Sequence, residues 1–282
     1  MTRSLEAAPP PLPQTLFEVA PPAAGQRELQ AARWLFAIGM IGLGVLALVY
    51  GDFALVWQPV APWVPGRIVL AYGSGALMLL CGVGLLFRAT TKWSVRVLFP
   101  YLIVWTLLKV PALVVAPQIE GVWLGIGELG MLLAGGWVLF ARLGGVSESS
   151  ALAWAAGDRG VLIAKIMFAI SVIPVGLSHF FYVKQTVELI PAWLPFKTGW
   201  AYLTGAGHIA AGIGVLLRIF PRLAATAEAA MLSVITLLVW APAIAAAPKT
   251  RMPWTAFFIS WAIAAAVWVV SAGFSTRKDA EE

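Results

Sequence analysis

The feature that most constrains this chain is a series of apolar runs, each close to twenty residues long, separated by short polar or charged joints. At about 1.5 Å of rise per residue, a helical run of that length matches the hydrocarbon thickness of a bilayer. Water is absent there, so the backbone must close its hydrogen bonds within the run, whatever its β-branched content would otherwise prefer. Eight segments qualify: residues 32–50, 67–88, 95–116, 121–141, 160–178, 198–218, 223–246 and 254–274. The expected fold class is therefore an all-α integral membrane protein with eight transmembrane helices. Charged residues make up only 11% of the 282 and hydrophobic ones 61%, whereas a soluble domain carries about 25% charge.

The same composition excludes several functions. A lone cysteine, Cys81 in mid-span, can form neither an intrachain disulfide nor a cysteine-based metal centre. The net charge of +6 is spread thinly, without the basic cluster that nucleic acid requires. It reads instead as orientation. With the tails and the loops after spans two, four and six on one side, 13 of the 19 Lys and Arg fall there and 6 on the other, which predicts cytoplasmic N and C termini. The expected location is a bacterial inner (plasma) membrane. Residues 1–31 carry the Pro-rich pieces AAPPPLP and APPAAG and are expected to form a disordered cytoplasmic tail. Residues 275–282 would be a second one.

The chain also repeats itself. At an offset of 130, residues 63–88 align with 193–218 with 10 identities in 26 positions, among them Trp63 with Trp193, Tyr72 with Tyr202, and Gly75, Gly82 and Gly84 with Gly205, Gly212 and Gly214. Upstream the offset is 132, pairing Phe36 with Phe168; downstream it is 131, pairing Pro111 with Pro242 and Trp123 with Trp254. An even number of spans per unit makes the two units parallel. The expectation is two tandem four-helix modules, 32–143 and 160–274, joined by a linker at 144–159. Glycines seven residues apart share one helix face and admit a close neighbour.

The second unit, in the order His179-Phe180, Pro191, Leu194-Pro195, the Gly-rich stretch Gly205 to Leu217, then Arg222 and Ala224, resembles the DoxX-like family of small four-span membrane proteins. The good match covers roughly 160–250, and the internal repeat extends it more weakly to 32–143. The family often has a glutamate where His208 stands; the first unit has Met78 there, and answers His179 with Ala47. Any inherited chemistry should thus lie in the second module. The resemblance implies an accessory membrane subunit of a quinone-linked or other redox system, with a redox enzyme subunit as partner and a quinone as the candidate cofactor.

Ionisable groups inside spans are costly and are candidate sites by default. His208 lies about 15 Å from Arg218 along its helix, near the bilayer centre, where Tyr202 or Ser178 could hold it. His179 is expected at the outer interface beside Phe180, in the aromatic belt. His179, Phe180, Tyr202 and His208 form the candidate ligand or partner site. Lys109 and Glu128 have matching depths and are expected to pair; Lys165 and Glu228 could pair too, or Lys165 is shallow enough to snorkel. A metal site is not expected, because the sequence has two histidines, 179 and 208, no cysteine near them, and helix depths that set them roughly half a bilayer apart. Three functions of different class follow: the redox subunit, a small-molecule or proton-coupled transporter using the intramembrane charges, and a non-catalytic scaffold acting through apolar helix faces and the Pro-rich tail. The lipid bilayer is the constant partner, and the apolar faces leave a homo-oligomer open.

Overall fold

The computed structural model describes the backbone of residues 23–55 and 57–274, and every regular element among them is a helix. In order these are α1 (Ala23–Tyr50), α2 (Arg67–Leu86), α3 (Arg88–Val115), α4 (Glu120–Leu143), α5 (Gly157–Phe181), the short α6 (Val183–Leu189), α7 (Lys197–Leu216), α8 (Pro221–Ile235), α9 (Ala241–Ala246) and α10 (Arg251–Ala272). A π-helical turn, Thr236–Trp240, joins α8 to α9 as one rod. Seven helices are long and apolar enough to cross a membrane: α1 to α5, the α8–α9 rod and α10. This is the build of a helical membrane protein. The remaining expected span, residues 198–218, corresponds to α7, which has the length but not the hydropathy, being diluted by five glycines, two threonines, Lys197 and His208.

Helix ends differ from expectation where polar residues extend an apolar run. α1 begins at Ala23, inside the segment expected to be disordered, because GQRELQAAR is a good helix former and Arg222 Nη2 donates to both oxygens of Glu28, at 2.9 and 3.0 Å. Expectations for residues 1–22 and for the tail 275–282 lie outside the described residues. The joint 144–159 is no slack linker. Arg96 donates to the carbonyls of Gly144 and Gly145, and Trp137 Nε1 to that of the buried Ala155.

Contact between the long helices runs α1, α2, α3, α4, α10 and back to α1; a second circuit runs α4, α5, α7, α8, α10 and back to α4. The two circuits share α4 and α10. Small residues permit this. A methyl group added at Gly135 of α4 would lie 2.5 Å from Ala266 Cα of α10, and one at Gly39 of α1 would lie 2.9 Å from Ala262 Cα. On the other side of α4, Gly127 faces the Ser171 carbonyl of α5, 2.6 Å from where its Cβ would stand. Backbones this close gain dispersion contacts that bulkier residues would forbid.

The α1–α2 joint folds into the end of the first circuit. Asp52 bonds Arg67 at 2.6 Å and Arg251 at 2.8 Å, and Arg251 also donates to the Phe53 carbonyl at 2.7 Å. Trp57 and Gln58 are buried; the Gln58 amide donates to Ser74 Oγ and Tyr101 Oη, at 3.0 and 2.6 Å. Partial burial opposes the Asp52 charge, but hydrogen bonds from Arg251 and Arg67 outweigh it and hold the carboxyl below its ordinary value.

Two outcomes follow. Gly135→Leu is expected to lower stability by about 1–3 kcal/mol through overpacking, whereas Gly73→Ala, with open space around it, should be neutral or gain about 0.5–1 kcal/mol; thermal unfolding in detergent compares them. Because the folded-state carboxyl of Asp52 is more acidic than the unfolded one, its contribution is present at neutral pH and disappears as pH falls through the folded value. Asp52→Asn should therefore unfold below wild type at neutral pH and converge with it in acid.

Candidate functional site

α5 and α7 pack antiparallel on their glycines. A methyl at Gly176 would lie 2.7 Å from the Gly205 carbonyl, and one at Gly212 would lie 2.6 Å from the Ala169 carbonyl. This register sets Gly205 directly against His179 Cβ, at 2.7 Å from its would-be methyl. Helical side chains tilt toward the N-terminus of their own helix, so in an antiparallel pair His179 and His208 lean toward each other. Their ring centroids are 5.1 Å apart, with the planes at 63°. The expected separation of half a bilayer is thereby corrected: depths counted from opposite helix ends had ignored both the register and the tilt.

Each ring is held through Nδ1. For His179 the partners are Thr204 Oγ1 at 2.9 Å and the Ala201 carbonyl at 3.2 Å. His208 Nδ1 meets Glu228 Oε1 of α8 at 2.7 Å, and the two side chains are 1% and 0% exposed. Glu228 Oε2 is buried and has no hydrogen-bond partner. Thr204, His179, His208 and Glu228 thus form a file of polar groups across three helices, running from half-buried Thr204 and His179 to the fully enclosed carboxyl. At 2.7 Å this imidazole–carboxyl contact has the length of the short, strong hydrogen bonds.

The other expected residues fall differently. Phe180 and Tyr202 stack on each other at 5.5 Å on the exposed side of the α5–α7 pair. Ser178, considered as a partner for His208, donates to the Val175 carbonyl instead. Glu228 takes His208 where the sequence suggested Lys165; the ammonium of Lys165 lies over the Phe274 ring, 3.9 Å from its centroid. Lys109 and Glu128 act on each other electrostatically, and the Lys109 ammonium reaches over Gly125, one turn before Glu128 on α4. Among the described residues, no group of three or more His, Cys, Asp or Glu could hold a metal ion. The His208–Glu228 pairing is what sequence reasoning missed. Its only sequence signal is that both are ionisable residues on successive apolar runs, about 15 Å in from Arg218 and about 9 Å in from Arg222.

Residues 168–266 match a domain of unknown function, DUF8561. That stretch runs from within α5 to within α10 and contains His179, His208 and Glu228. No curated protein and no solved structure matches the chain.

Removing one member of a buried pair strands the other, so His208→Ala is expected to cost about 3–5 kcal/mol. The double change His208→Met with Glu228→Leu removes both polar groups and should recover most of that loss. Thermal unfolding of the two proteins beside wild type measures it, and a double variant no more stable than the single one would mean that the pair is not what the single change breaks.

Proposed function

We propose that this chain is a DoxX-like membrane protein that binds protons and hands them on within the bilayer through Glu228, His208 and His179, as an accessory subunit of a quinone-linked or other redox system. The observation that carries the reading is the 2.7 Å His208–Glu228 contact, with His179 stacked edge-on beside it and one carboxyl oxygen left without a partner. Titratable groups placed in series inside a membrane are expensive and serve proton or ion movement when they are kept. Quinone chemistry takes up and releases protons with its electrons, which is the demand such a file would meet.

The same reading includes two parallel four-helix modules, eight spans with α7 as the sixth, and both termini on the cytoplasmic side. Several contacts support the duplication. Gly44 on Gly75 of α1 and α2 corresponds to Gly176 on Gly205 of α5 and α7 under the sequence offsets; Gly42 against Phe258 corresponds to Pro174 against Gly127. Gly135 and Ala266, which touch, are each other's counterparts at offset 131, as residues on a pseudo-two-fold axis must be. The offset grows from 130 to 131 between Gly214 and Pro242, and the π-helical turn Thr236–Trp240, which takes in one residue more than an α-turn, lies in that interval. At the positions of His179, His208 and Glu228 the first module has Ala47, Met78 and Leu98, all buried.

Proton-coupled transport is a second reading, favoured by that π-helical turn, which interrupts the rod carrying Glu228. One experiment addresses both. In proteoliposomes containing a pH-sensitive dye, proton movement should appear either when a quinol is oxidised or when a solute gradient is imposed, and should fall at least tenfold in Glu228→Gln and His179→Ala. The stimulus that works chooses between the readings. Unaltered proton movement in both variants would leave the file without a function.

A further inference from the structure

A cavity of about 640 Å³ lies between α3, α4 and α5, on the face of α5 turned away from the two histidines. Its volume is that of a small-molecule pocket. The walls are apolar, formed by residues such as Ile126, Met167, Ile173 and Leu177, and the rim residues Trp123, Ile170 and Phe181 are exposed, so the cavity opens where lipid would lie.

One lining residue does not belong in such a place. Glu120, in the first turn of α4, is 9% exposed, and neither of its carboxyl oxygens has a hydrogen-bond partner. A buried carboxyl without partners is costly, and more so when charged. The N-terminal end of α4 favours a negative charge at that position, while Lys109 acts electrostatically on Glu128. The cavity therefore presents a carboxyl with two unpartnered oxygens at one end of an apolar chamber.

We propose that this cavity binds a lipid-soluble amine, its hydrocarbon body among the α4 and α5 side chains and its protonated amino head on Glu120. An ammonium supplies three donors and a positive charge, so it satisfies both oxygens and neutralises the carboxylate; a hydroxyl head would satisfy one oxygen and leave the charge. The site is separate from the histidine file and does not rest on the function proposed for it.

Dodecylamine, dodecanol and dodecanoate are the probes, each titrated into the full-length protein in detergent and counted by native mass spectrometry. Wild type is expected to retain one dodecylamine per chain, at least tenfold more tightly than either other probe. Glu120→Gln should lose that preference at unchanged thermal stability, Ile170→Trp should fill the chamber and weaken dodecylamine at least tenfold, and Glu228→Gln should bind as wild type does. Equal retention of all three probes would mean a groove for hydrocarbon chains only and would overturn the assignment, as would dodecylamine binding that survives Glu120→Gln or no binding of dodecylamine at all.

Discussion

The arrangement depends on how closely α4 and α10 approach each other. At Gly135 and Ala266 there is no room for one further methyl group, and both helix circuits share this pair of helices. Each of the two also reaches across: α4 packs on α5, and α10 on α1. α4 and α10 thus each belong to both circuits, and neither circuit closes without them. In lipid no hydrophobic force drives helices together, so contact of this quality between small residues is what keeps them in register.

That register creates the polar centre. Gly176 and Gly205 bring α5 and α7 close enough for His179 to reach the Thr204 hydroxyl and face His208. A larger residue at either glycine would separate the helices and with them the two rings. Under the proposed duplication, the three positions that hold His179, His208 and Glu228 are answered in the first half by Ala47, Met78 and Leu98, all apolar and buried. At these positions one half packs hydrocarbon only, while the other carries a buried, incompletely satisfied carboxyl. That contrast makes packing alone a poor account of why His208 and Glu228 are there.

Much of the fold was legible. The apolar runs located every long helix, because span length and backbone satisfaction in hydrocarbon leave little choice. Errors came at the ends, as at α1, where helix-forming polar residues prolong the run past the apolar part. At α7 the expected run is a helix of span length, but the glycines that allow close packing dilute the hydropathy by which a span is recognised. The candidate site was legible only as an inventory. His179 and His208 could be named as costly residues, but their meeting depended on register and on the direction of side-chain tilt, which linear depth does not carry. Glu228 was assigned to Lys165 because opposite charges of equal depth invite pairing, whereas the α7–α8 packing delivers His208 to it.

The unpartnered Glu120 was outside any sequence argument, since a carboxylate at the start of a helix reads as an ordinary interfacial residue until its burial is known. Sequence alone specifies the class of the molecule: helices of membrane length, a scarcity of charge, and a short list of polar residues that must be accounted for. Only the tertiary structure decided which of those residues meet, that the two helix circuits share α4 and α10, and where an apolar chamber ends on a carboxyl. The physical reason is that span length and hydropathy are properties of a segment taken alone. Proximity arises from the close approach of particular small residues on helices far apart in the chain.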